Sequence, residues 1–149
     1  MLGPHAEPIA AAVKLKPGEM VINRDWENGQ LSSIHAAIRS FPPNTDGMIL
    51  FLIDHPLISS PLVNDLIEEF YSPQNAAPAR IVLPLFRGQR GHPVIFPAAL
   101  YDELLAAPLD KGARAVVWAH PSDVLQLETT EQGCVLNLND PETLQRVIG

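Results

Sequence analysis

Met48-Ile49-Leu50-Phe51-Leu52-Ile53-Asp54-His55-Pro56 reads as one buried strand that stops on a carboxylate. Six apolar residues run without alternation. That pattern predicts a central strand over 48–53, covered on both faces. Asp54-His55-Pro56 then ends it abruptly. In open α/β sheets ligands bind beyond the carboxyl ends of strands, so Asp54 is where a site is expected. A carboxylate there either holds Mg²⁺, which takes one or two protein oxygens beside substrate phosphates and waters, or caps the following turn.

Downstream, Ser60-Pro61 predicts a helix to about Tyr71, with Ser60 at the N-cap and Pro61 at N1. A Pro/Asn/Ala loop covers 72–79, and Arg80–Phe86 is a second apolar strand. Arg87-Gly88-Gln89-Arg90-Gly91 is a basic glycine turn before a short strand from Pro93 to Phe96. Pro97–Ala107 and Gly112–Ala119 are expected helices. Asp123–Glu128 and Cys134–Leu138 are expected short strands. Asp140-Pro141 caps a final helix.

Upstream, His5–Leu15 is an alanine-rich helix that Pro17-Gly18 is expected to stop, and Glu19–Asn23 a short strand. Gly29–Phe41 carries Leu31, Ile34, Ala37, Ile38 and Phe41 at helical spacing. The alternation of strands and helices predicts an α/β fold, three-layered around a mostly parallel sheet, with residues 1–149 forming one domain.

Composition narrows the function classes. The chain is 46% hydrophobic and 18% charged, with a formal net charge of -7. Such an acidic chain is a poor holder of a nucleic-acid backbone. No apolar run approaches the ~20 residues needed to cross a bilayer, and the first residues lack the pattern of a secretory signal. A cytoplasmic setting is therefore expected. Cys134 is the single cysteine, which excludes an internal disulfide and reads as an apolar filler. The five histidines show no metal-motif spacing, and phosphate-binding loops and nucleophile elbows are missing.

Four other segments carry polar groups at element ends. Asn23 to Ser33, with Asp25, Trp26, Gly29 and Ser32, puts hydroxyls and backbone N–H groups at a helix start, suited to a ribose, base edge or phosphate, or to an ordinary cap. Arg87 to Pro93 places Arg90 and His92 on a glycine turn, either an anion grip or a surface hairpin. Asp110-Lys111-Gly112-Ala113-Arg114 is a basic turn at a helix start. Asn137-Leu138-Asn139-Asp140 ends an expected strand with two amides on one face, candidates for metal oxygens or for capping.

In order along the chain, these segments resemble the MobA-like NTP transferase family, in its molybdenum cofactor cytidylyltransferase branch. Asn23-x-Asp25-Trp26-x-x-Gly29-x-x-Ser32-Ser33 resembles N-x-D-W-x-x-G-M-x-S-S, and Asp54-His55-Pro56 resembles D-Q-P. Gly88-Gln89-Arg90-Gly91-His92-Pro93-Val94 resembles G-x-x-G-H-P-V, 110–114 resembles D-x-G-A-R, and 137–142 resembles D-I-D-T-P-E. The resemblance implies a Rossmann-like nucleotide-diphospho-sugar-transferase type of fold. It implies transfer of a nucleotidyl group from CTP, or GTP in relatives, to a phosphorylated molybdopterin-type acceptor, with Mg²⁺ and release of pyrophosphate. It implies Asp54, Arg90 and His92 as catalytic residues. Asn23, Gly29, Ser32 and Ser33 would sit on the nucleotide side, and Gly91, His92, Pro93 and Arg114 on the acceptor side. Asp54, Asn137 and Asn139 would hold the metal. The family's opening strand and L-A-A-G-x-S-x-R-M-G loop have no counterpart here, so an N-terminally truncated version is expected. The competing expectations are a catalytically inactive nucleotide- or pterin-binding relative, partnered with a molybdoenzyme or its maturation factor, and a sugar-phosphate nucleotidyltransferase.

Overall fold

A computed structural model describes residues 1–16, 19–75, 77 and 79–148. Pro17-Gly18, the expected stop of the first helix, lies outside them. The chain divides into two compact units, Met1–Thr45 with Leu100–Ala119, and Asp46–Ala99 with His120–Gly149.

The second unit holds an open mixed sheet of β1 (Gly47–Leu50), β2 (Ile81–Phe86), β3 (Gln89–Arg90), β4 (Val94–Pro97) and β5 (Val124–Glu128). The order is β1-β4-β2-β3, with β5 pairing β2. The α/β class with a mixed sheet holds. Among the described residues, parallel pairing within this sheet is confined to β2 with β5. β1 with β4, β4 with β2 and β2 with β3 are antiparallel. β2 is the strand covered all round. Ile81, Val82, Leu83 and Pro84 are buried, and Val82 is flanked by Ile95 on one edge and Leu125 on the other.

β1 differs from its expected place. Among the described residues it pairs only with β4, and the ladder ends at Leu50 rather than Ile53. Ile49, Phe51 and Ile53 are 39%, 46% and 98% exposed. An unbroken apolar run marks a strand that can be covered on both faces, whereas its place in the sheet depends on which distant strands pair with it.

α3 (Ser60–Tyr71) packs the sheet with Leu62 and Leu66, which join Val82, Ile95 and Cys134 in the core. Its cap is Ser59, not Ser60. Ser59 keeps an extended backbone and its hydroxyl accepts the Leu62 N–H at 3.2 Å. Pro61 suits either register because the whole first turn lacks internal acceptors for its N–H groups. Arg87 and Gly88 both take positive φ, 50° and 81°, as a two-residue hairpin turn requires. The expected strand 134–138 is absent among the described residues. Gln132–Cys134 is a 3₁₀ turn instead, closed by Val135 N–H to Gln132 C=O at 3.0 Å. α6 (Pro141–Ile148) starts as expected, with Asp140 Oδ1 accepting the Thr143 N–H at 2.7 Å.

The first unit contains α1 (Ala6–Val13), α2 (Gln30–Ile38), α4 (Tyr101–Ala106) and α5 (Arg114–Ala119). Leu31, Ile34 and Leu104 are buried, and His35 Nε2 donates to the Leu104 carbonyl at 2.9 Å. The expected strand 19–23 reduces to a single parallel bridge between Ile22 and Leu2. No described helix is long and apolar enough to cross a membrane.

Candidate functional site

The nucleotide-side residues gather at the start of α2. Gly29 is its N-cap, with φ 85° and open space where a Cβ would stand, so backbone conformation rather than crowding demands glycine. Asn23 is only 2% exposed. Its Nδ2 donates to Ser32 Oγ at 2.8 Å and Ser33 Oγ at 3.0 Å, and its Oδ1 accepts the Asp25 N–H at 2.9 Å. Ser32 Oγ donates to the Gly29 carbonyl at 2.7 Å. The four residues are brought together, and their polar groups serve one another. Trp26 is 43% exposed. Beside this cluster is a groove of about 360 Å³ lined by Asp25, Asn28, Ser32, His35, Arg39 and Leu105. His35 and Arg39 were missed in sequence. Their spacing from Ser32 on one helical face was the signal that pointed to them.

Arg114 also belongs to the first unit. Its Nε donates to the Lys111 carbonyl at 3.0 Å, and its guanidinium lies over Trp118 at 5.3 Å. The remaining residues belong to the second unit. Asp54 is half-buried in the turn after β1. Its carbonyl accepts the Leu138 N–H at 2.8 Å, so the Asn137–Asn139 segment is fastened to the Asp54 turn. Asn137 and Asn139 are both exposed, without the strand that was expected to align them. Their donor set with Asp54 is oxygen only, one carboxylate and two amides. That chemistry suits a hard divalent cation, with one negative charge to hold it.

Arg90 stands on the exposed hairpin, its Nε donating to Gln126 Oε1 of β5 at 3.4 Å. Gly91 has no room for a side chain, because a Cβ would lie 2.6 Å from the Cys134 carbonyl oxygen. Its N–H donates to Pro84, and the next N–H, of His92, to Cys134 at 2.8 Å. Cys134 is the buried filler expected, and burial pushes its thiol pKa up. Pro93 is buried and His92 half-buried.

The His92 ring meets a residue that sequence reasoning left aside. His55, 7% exposed, lies edge-on to it with centroids 5.3 Å apart and an angle of 60°. Burial first, then the neighbouring His55, lowers the His92 pKa, against opposing effects of the Leu50 backbone and Asp54. The pair is invisible to short-range spacing rules. Each of the two histidines directly precedes a proline, but so does His120, and this local setting does not single out the pair.

Comparison with known proteins adds the family. The MobA-like NTP transferase domain matches residues 1–124, a span that runs through both units. Nicotine blue oxidoreductase of Paenarthrobacter nicotinovorans is 25% identical over 99% of this chain and 73% of its own length. The crystal structure of Rv0371c from Mycobacterium tuberculosis H37Rv superposes with a TM-score of 0.79 at 23% identity, over 99% of this chain and 73% of that one. A manganese complex of Rv0371c gives 0.72 at 20%, over 98% and 74%. Molybdopterin-guanine dinucleotide biosynthesis protein A from Archaeoglobus fulgidus gives 0.64 at 20%, over 95% and 70%. These likenesses show the fold.

Proposed function

Because the chain belongs to the MobA-like NTP transferase family, we propose that it serves nucleotidyl transfer of the molybdenum cofactor cytidylyltransferase type, from CTP or GTP to a phosphorylated pterin acceptor, in the cytoplasm, with residues 1–149 acting as one transferase domain. The carrying observation is the Leu138 N–H bond to the Asp54 carbonyl. It ties one carboxylate and two amides to a turn that follows a strand, where α/β sheets take ligands. In this reading Asp54, Asn137 and Asn139 hold Mg²⁺. A divalent ion bound there offsets the charge that develops on the phosphoryl oxygens.

Asn23, Gly29, Ser32 and Ser33 are assigned to the nucleotide, with Gly29 and the start of α2 offering backbone N–H groups. The side chains of this set act mainly by shaping that backbone, since they bond to one another. Gly91, Pro93 and Arg114 are assigned to the acceptor. Arg90 is assigned to phosphate charge. His92, whose pKa is lowered chiefly by burial, is assigned to the acceptor and, with Asp54 and Arg90, to catalysis. Asn137 and Asn139 contribute no charge, which favours as second reading a relative that binds nucleotide or pterin without turnover, in partnership with a molybdoenzyme or its maturation factor.

The test is calorimetry of CTP and GTP with Mg²⁺ on the wild type and Asp54→Ala, together with pyrophosphate release on adding molybdopterin. A tenfold or larger loss of Mg²⁺-dependent affinity in the variant is expected. Equal affinities sink the metal role. Tight nucleotide binding without pyrophosphate selects the second reading.

A further inference from the structure

Buried polar nitrogens almost always find a partner, yet the Nδ1 atoms of His55 and His92 are both buried without one. The rings face each other edge-on with centroids 5.3 Å apart. The Leu50 backbone acts on the His92 ring, raising its pKa against the larger effect of burial. The tautomer that carries its proton on Nε2 presents the Nδ1 lone pair to a ligand.

We infer that His55 and His92 form a two-imidazole site for a divalent transition-metal ion of the zinc, cobalt or nickel class, bound through the two Nδ1 atoms. Imidazole nitrogen suits these ions and not Mg²⁺. Two imidazoles on one tetrahedral ion, with bonds of about 2.0–2.1 Å, place their ring centroids roughly 5 Å apart. The observed separation already meets that figure. Both backbones are anchored, His55 N–H to Leu52 at 3.2 Å and His92 N–H to Cys134 at 2.8 Å.

Among the described residues no group of three or more His, Cys, Asp or Glu side chains is set to hold a metal. The two rings would then be the ion's protein ligands, with water or an anionic ligand completing a tetrahedral shell. This inference does not rest on nucleotidyl transfer. It requires only the two rings.

The experiment titrates the full chain with Co²⁺ and Zn²⁺ in the presence of excess Mg²⁺. One ion per chain is expected, with visible Co²⁺ absorption. His55→Gln and His92→Gln should each weaken binding at least tenfold, while His35→Gln, whose ring is held by Leu104, should not. No uptake by the wild type, or uptake that neither variant alters, overturns the site. A second measurement needs no variant. ¹⁵N NMR of the wild-type imidazoles should move the Nδ1 signals of His55 and His92 on adding Zn²⁺. Movement confined to His5, His35 or His120 overturns the assignment. Zinc binding by a wild type that ignores CTP and GTP supports this site while sinking the proposed function. Nucleotide binding with no zinc uptake does the reverse.

Discussion

Two polar clusters in this molecule are built on opposite principles. Around Asn23, every side-chain hydrogen-bonding group of the amide is matched within the chain, by Ser32, Ser33 and Asp25. Around His55 and His92, two ring nitrogens are buried and unmatched. A satisfied buried network stabilises one conformation. An unsatisfied pair raises the free energy of the apo protein and is available to something that binds. The Asn23 cluster, which matches the family motif except at Gln30, is thus built as a structural brace, and the residue that departs from the family's D-Q-P, His55, stands where a buried group is left unmatched.

The largest effect that tests this contrast is Asn23→Ala. It strips two donors and an acceptor from a residue 2% exposed, leaving the Asp25 N–H and two serine hydroxyls to find other partners. A loss of about 3 kcal/mol in chemical denaturation is expected, given roughly 1–3 kcal/mol for each buried group left unmatched and partial rescue by water. A loss below about 1 kcal/mol would show that the cluster is not a brace.

The intermediate effect has the opposite sign. His55→Leu replaces an unmatched buried ring by an apolar side chain of similar volume. Stability in metal-free buffer should stay level or rise by up to about 1 kcal/mol. The variant should also lose the stabilisation that Zn²⁺ gives the wild type by mass action. Thermal denaturation with and without zinc reads both. A clear destabilisation without metal would mean that His55 is already matched, and the contrast would collapse.

How much of this was legible beforehand depends on the range of the cause. Local causes were readable. The Asp54 turn, the Asp140 cap and the 87–91 hairpin all follow from residues within one turn of each other. The Ser59 cap was missed by one position because two adjacent serines and a proline fit either register, and backbone conformation decides between them. Causes acting over distance were not readable. Met48–Ile53 is apolar whether it lies in the middle of the sheet or beside a single partner, and only the pairing with β4 tells which. Asn137–Asn139 looked like the end of a strand, whereas the 3₁₀ turn at 132–134 redirects the chain. For the site, the family motifs pointed to Asp54, Gly29, His92 and the Asn23 cluster alike, and assigned their roles by analogy. The His55–His92 contact joins two segments that only the folded sheet brings together.

The smallest effect is a pH dependence that belongs to one side of the contrast. Burial lowers the His92 pKa, so between the unfolded value, about 6.5, and the lower folded one the unfolded chain binds the extra proton. Stability from His92 is therefore present above the unfolded pKa and is lost as pH falls toward the folded one. One proton allows a slope of at most about 1.4 kcal/mol per pH unit, and a half-buried ring falls short of it. The measurement is the stability of wild type relative to His92→Gln over roughly pH 7.5 to 5, which cancels the titration of distant carboxylates. The wild type should lose ground steadily as pH drops. A difference independent of pH would mean that His92 titrates alike folded and unfolded, and that its Nδ1 is open to water after all.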